Sequence, residues 1–236
     1  MQFRIAPTIF EDFPEVRIGV VTAQGLDNHG SDPAITSQVR EAETALVESF
    51  RVGNVTEHPR IAPWREAYRK FGAKPKKHLS SIESLARRAI KGDTLRSINK
   101  LVDIYNVVSL RHIVPVGGED LDRIEGDIVL VRASDNEAPV RLLGEAEERS
   151  PSNGEVIYKD DRSAICRRWN WKEADRTKLT EDTRRAVLVI ESLPPVAGDE
   201  LEKAVDDLAD LIQRHCGGET VTTILDRERP ETGLDH

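Results

Sequence analysis

Cysteine is scarce in this 236-residue chain: there are two, alongside one methionine, and aromatic residues make up 5%. Cys166 and Cys216 stand far apart and lack CxxC or Cys/His spacing. That excludes a zinc-finger pattern and a disulfide framework. They read as buried thiols, since a disulfide between them would be unusual in a reducing compartment. No apolar run approaches the roughly 18 residues that a membrane span requires. The N-terminus, MQFRIAPTIF, has no basic region followed by an apolar block, so no signal peptide is expected, and the chain reads as a soluble cytoplasmic protein. Also missing are a GxSxG elbow, a Walker-type loop, an HExxH motif and a GxGxxG turn between strand and helix. The histidines, His29, His58, His78, His112, His215 and His236, are scattered without ligand spacing. No metal is expected.

Hydrophobic residues make up 38% and charged residues 32%, as in an ordinary globular protein, and the length suits one domain. The net charge of −8 excludes a chain that grips nucleic acid by overall positive charge, so any such contact must be local. One basic sector stands out. From Pro59 to Lys100, twelve lysines and arginines, among them Lys74, Lys76, Lys77, Arg87 and Arg88, face only Glu66, Glu83 and Asp93. The sector is either a phosphate-tracking surface or a set of solvated helix faces whose acidic partners come from elsewhere.

Apolar spacing gives the elements in order. Gln2 to Ile9 and Val16 to Ala23 read as two paired strands. Asp32-Pro33 caps a helix that runs to about Arg51. A short helix spans Arg60 to Phe71, with Trp64 and Tyr68 on one face. Ser80 and Glu83 resemble a capping box that opens a helix ending at Gly92. A further helix begins near Thr94 and carries Ile98, Leu101, Tyr105 and Val108. From Ile113 the period changes to two. Short strands are expected at Asp127 to Val131, Val140 to Leu143, Glu155 to Tyr158, Ser163 to Trp169 and Arg185 to Glu191, with Gly117-Gly118 as a turn. Asp199 caps a helix that Gly217 ends, Thr220 to Leu225 is a last strand, and 226–236 reads as a flexible polar tail behind a single domain of residues 1–225.

A few residues sit where propensity would not put them. Asn106 interrupts the apolar helical stretch LVDIYNVVSL and either finds a side-chain partner or terminates the helix. Trp169, Asn170 and Trp171 end a strand, as a pocket wall or as a core plug. Glu191 closes the strand AVLVIE and either faces solvent or points into a cleft.

An ordered series of motifs, Ser80-x-x-Glu83-x-Leu85-x-Arg87-Arg88, LVDIYNVVSL, GGEDLDRIEGDIVLVRA, GEVIYKD and CRRWNWKEADRTKLTEDT, resembles freestanding B3/B4-type relatives of the phenylalanyl-tRNA synthetase β-subunit editing domain. The likeness spans roughly Ala62 to Ser192. It implies a three-layer α+β domain in which a mixed or antiparallel β-sandwich is flanked by helices. It also implies a pocket for the aminoacyl end of a mischarged tRNA and hydrolysis of the ester by a held water, with tRNA as partner and no cofactor. By the resemblance Glu191 matches the pocket glutamate and becomes the candidate catalytic residue, with Asn106, Gly117, Trp169 and Asn170 around the substrate. Lys74, Lys76, Lys77, Arg87 and Arg88 would meet RNA. Val114-Pro115-Val116-Gly117 matches a glutamine-proline-x-histidine turn, so Gly117 stands where the synthetase has histidine. That departure leaves two readings, a trans-acting deacylase and a non-catalytic module that holds tRNA or an amino acid; a third, a protein adaptor, requires an exposed apolar patch.

Overall fold

Strand and helix alternate early in the chain because proline and polar caps interrupt the apolar runs. The computed structural model describes residues 1–50 and 53–235. Strand β1 (Gln2–Ile5) is brief: Pro7 occupies the first turn of helix α1 (Pro7–Asp12), where its missing N–H costs nothing. The expected strand through Ile9 is therefore half helix. Nor does β1 pair with β2 (Arg17–Gln24), because α1 carries the chain from one sheet to another. Helix α2 (Pro33–Ser49) starts as expected, with the Asp32 carboxylate accepting from the Ala34 N–H at 2.8 Å. Arg51, its expected end, lies outside the described residues.

Helix α3 (Ala62–Lys70) buries Trp64 and Tyr68. Helix α4 (Ser81–Ile90) is capped by Ser80, whose hydroxyl accepts from the Glu83 N–H at 3.3 Å. The capping box is only half formed. Instead of turning back to Ser80, the fully buried Glu83 carboxylate accepts from Arg65 at 2.7 and 2.9 Å and from Arg87 at 2.8 and 3.0 Å, which pins α4 to α3. Helix α5 (Lys100–His112) begins later than its apolar pattern suggests. Asn99 caps it by accepting from the Val102 N–H at 3.0 Å, and Ile98 is left 66% exposed outside it. Asn106 does not end this helix, which continues for six residues beyond it.

Strands β3 (Val116–Asp120), β4 (Ile128–Arg132), β5 (Val140–Arg141), β6 (Glu148–Arg149), β7 (Val156–Lys159), β8 (Ala164–Arg167), β9 (Lys172–Glu173) and β10 (Arg185–Ser192) follow, then helix α6 (Gly198–Cys216), β11 (Glu219–Leu225) and β12 (Glu231–Gly233). Gly117-Gly118 lies inside β3 and is not a turn. Ala197 takes the cap position of α6, with Asp199 in its first turn. The expected flexible tail is ordered over 231–233, where β12 pairs antiparallel with β1, and Leu234 is buried. His236 lies outside the described residues.

The strands form an antiparallel sheet in the order β11-β2-β10-β3 and a mixed sheet in the order β12-β1-β4-β7-β8-β9, in which β1 and β4 run parallel; β5 and β6 make a separate ribbon. Period two decides what each face of β10 meets. Ile190 lies opposite Gly19 on the face that α6 covers. A Cβ on Gly19 would stand 2.3 Å from Val205, so glycine there lets α6 lie close on the sheet. Val187, Val189 and Glu191 take the other face. Helix α5 packs against β3, α2 and α6, and one continuous core joins the helices to both sheets. Helices, antiparallel sheet and mixed sheet form the α+β arrangement expected from the sequence. Among the described residues, no helix is long and apolar enough to cross a membrane.

Candidate functional site

Between the sheets is a cavity of about 260 Å³. The β10–β3 pairing sets one wall: Val189 lies opposite Gly117 and Val187 opposite Glu119, so with Glu191 they share a face. Tyr158 and Cys166, paired across β7 and β8, contribute from the mixed sheet. Ser81, Ser84 and Leu85 of α4 and Tyr105 and Asn106 of α5 close one side.

The β8–β9 turn supplies the remainder. Arg168 and Trp169 adopt φ of 50° and 64°, left-handed geometry that costs a non-glycine residue about 1 kcal/mol or more each. The turn is held by the Trp169 N–H, donating to the Val156 carbonyl at 2.7 Å, and by the Trp171 N–H, donating to the Arg167 carbonyl at 3.2 Å. It sends the fully buried Trp169 ring between Phe13 and Trp64, both edge-on, and turns Asn170 toward β10. Trp169 is therefore core plug and cavity wall at once.

Glu191 is 2% exposed, so of its two sequence readings the inward one holds. Its Oε1 accepts from the Tyr158 hydroxyl at 2.7 Å and its Oε2 from the Asn170 amide at 2.6 Å. Asn170 Oδ1 in turn accepts from the Tyr68 hydroxyl at 2.8 Å, linking the carboxylate to α3. Burial raises the Glu191 carboxyl from 4.5 to about 7, against the donors from Tyr158, Asn170 and the Trp169 indole, which favour its charged form. The indole nitrogen is buried without an acceptor in good hydrogen-bonding geometry, so its influence on Glu191 is that of a nearby dipole. Burial likewise pushes the Tyr158 and Tyr68 hydroxyls well above their usual range, keeping both neutral donors.

Asn106, Gly117, Trp169, Asn170 and Glu191 thus meet around one cavity. Four residues that sequence reading passed over join them: Tyr68 through Asn170, and Tyr158, Glu119 and Glu173 in the walls. The last three lie within segments whose order drew attention, but only the facing of two sheets, which no local pattern reports, turns them inward. Gly117 makes room for one of them, since a Cβ there would stand 3.2 Å from Glu173 Oε1.

The basic candidates divide. Arg87 is engaged by Glu83, whereas Lys74, Lys76, Lys77 and Arg88 are exposed. Lys74 and Lys77 border a separate pocket with His78 and Arg168. Arg168 also stacks on Trp171, which lines the central cavity, so the lysine-bearing segment lies near the cavity's rim. Both cysteines are free and buried, as expected. Among the described residues, no group of three or more His, Cys, Asp or Glu side chains is arranged to hold a metal.

Fold and site together define an α+β sandwich enclosing a cavity with a hydrogen-bonded, buried glutamate. The B3/4 domain model matches residues 63–217, and the chain belongs to that family. A 77-residue stretch is 38% identical to the phenylalanine–tRNA ligase β subunit of Fusobacterium nucleatum, covering 33% of this chain and 9% of that protein. Among solved structures, an N-terminal fragment of the Pyrococcus horikoshii phenylalanyl-tRNA synthetase β subunit aligns with 94% of this chain and 53% of its own length, at a TM-score of 0.48 and 11% identity. The chain therefore spans about half or less of the relatives it matches.

Proposed function

We propose that this protein is a trans-acting hydrolase that removes a mis-attached amino acid from aminoacyl-tRNA. The observation that carries the reading is Glu191: a carboxylate fixed at both oxygens by neutral donors, facing a cavity large enough for an amino-acid side chain, in a chain of the B3/4 family. An aminoacyl ester is already activated. Holding its carbonyl against a positioned water supplies much of the required acceleration, and no side-chain nucleophile is needed. With its carboxyl near 7, Glu191 is suited to accept a hydrogen bond, or a proton, from that water at neutral pH. Tyr158 and Asn170 fix its orientation, Trp169 excludes bulk solvent, and Asn106 and Gly117 border the acyl group. The exposed Lys74, Lys76, Lys77 and Arg88 would contact the tRNA backbone, in keeping with a cytoplasmic role beside translation.

Gly117 supports a second reading. A module without the synthetase's histidine would hold tRNA or an amino acid without cleaving the ester. Amino-acid release from a panel of correctly and incorrectly charged tRNAs, with Glu191→Ala beside the wild type, separates the two. Selective release that falls by about 100-fold or more in the variant is expected of a positioned catalytic group. Release by neither protein, with tRNA still bound, would replace the hydrolase with the binding module.

A further inference from the structure

The cavity has a second acidic wall that the Glu191 network does not touch. Glu119, 7% exposed, lines it from β3, and its Oε2 has no hydrogen-bond partner. Glu173 lines it from β9; it receives the Gly118 N–H, and its carboxylate lies against the open face of Gly117. Two carboxylates lining one cavity, Glu119 buried and Glu173 half-buried, are costly to charge together unless a cation joins them. The neighbouring cations are engaged elsewhere: Lys172 with Glu145 at 2.9 Å, Arg176 with Asp160 at 2.5 Å and Lys178 with Asp175 at 2.6 Å. The buried Thr177 hydroxyl beside Glu119, itself unpaired, can donate a hydrogen bond but cannot neutralise charge. Burial, and then the nearby Glu173 carboxylate, push Glu119 well above the ordinary carboxylate range, as expected of a site short of positive charge.

We infer that Glu119 and Glu173 form a subsite for an ammonium group of the ligand, so that the cavity selects a positively charged acyl moiety. The inference rests on the proposed aminoacyl reading of the cavity and deepens it. The ammonium can come from the α-amino group or from a basic side chain; the recognising chemistry is the same, one N⁺–H to each carboxylate. It also gives Gly117 a purpose: a Cβ at this position would stand 3.2 Å from Glu173 Oε1 and push the carboxylate out of its place by a few tenths of an ångström.

Calorimetric titration with three stable amides distinguishes the sources. Norleucine amide carries only the α-ammonium, Nα-acetyl-lysine amide only the side-chain ammonium, and Nα-acetyl-norleucine amide neither. At least one charged amide is expected to bind the wild type about tenfold or more tighter than the neutral one, the scale of one charge-assisted hydrogen bond. The tighter of the two charged amides identifies the source. Glu119→Gln/Glu173→Gln is expected to fold, having lost an uncompensated pair, and to abolish the preference. Gly117→Ala, which keeps both charges but crowds Glu173, is expected to weaken it and serves if the double variant does not fold. Equal binding of the three amides, a preference that survives the substitutions, or binding of none of them overturns the inference. Glu191 is intact throughout, so an ammonium preference without ester cleavage would overturn the hydrolase alone, and cleavage without the preference would overturn the subsite alone.

Discussion

At the residue scale, Glu191 shows how a fold holds a carboxyl group in a place where its charge is unfavourable. Both oxygens are satisfied, yet burial outweighs the donors and the carboxyl titrates near 7. The sign of the linkage follows. With a folded value above the unfolded 4.5, the native state binds this proton more tightly, so its stabilising contribution is full below pH 4.5 and is lost as pH rises through about 7. Glu191→Gln keeps the shape and removes the titration. Chemical denaturation at pH 5 and pH 8 is expected to show the variant gaining on the wild type by on the order of 1–3 kcal/mol over that interval. Glu173, with a similar shift, is present in both proteins and cancels from the comparison. A difference that does not change with pH would show that Glu191 is no more costly to ionise in the fold than in the unfolded chain.

At the element scale, helix α5 brings Tyr105 and Asn106 to the cavity, and its start is set by asparagines. Asn99 caps it and also donates to the Leu179 carbonyl at 3.2 Å. Asn28 accepts from the Leu101 N–H at 2.8 Å while donating to the Thr180 carbonyl at 2.7 Å. Asn99→Ala removes a cap and leaves buried groups unpaired. It is expected to cost about 1–2 kcal/mol and to lower Tm by roughly 2–8 °C, read by thermal melting. An unchanged Tm would mean that Asn28 alone suffices to start the helix. The same helix shows the limits of reading from sequence. The apolar spacing of LVDIYNVVSL was enough to find it, but the spacing also drew in Ile98, which the Asn99 cap leaves outside. Likewise, alternation in MQFRIAPTIF suggested one long strand, and Pro7 made its second half a helix. The strand AVLVIE was legible but left Glu191 open between solvent and cleft, and it was the resemblance that pointed it inward, where the structure places it. The site was illegible where it depends on two sheets facing each other: Tyr158, Glu119 and Glu173 look like ordinary outward polar residues of short strands until β10–β3 and β7–β8 are set face to face.

At the scale of the whole molecule, a net charge of −8 sets a demand on any tRNA contact: it must be confined to a patch that outweighs long-range repulsion. Much of the basic sector is neutralised internally, with Arg65 and Arg87 on Glu83, Arg60 on Glu200 and Lys100 near Asp27. Lys74, Lys76 and Lys77 remain exposed between α3 and α4, near the cavity's rim, where on the proposed function the acceptor end would pass. If they meet phosphates, Lys76→Glu/Lys77→Glu is expected to weaken tRNA binding by about tenfold or more at low salt. It should also reduce the slope of log affinity against log salt by about one to two, since each lost phosphate contact retains its counterion. Lys203→Glu/Arg214→Glu, on α6 behind the antiparallel sheet, makes the same change in net charge away from the cavity and should leave the slope nearly as it was. Equal effects from both variants would assign the loss to overall charge. A smaller slope confined to the Lys76/Lys77 variant would mean that this acidic protein holds RNA through one short segment beside its pocket.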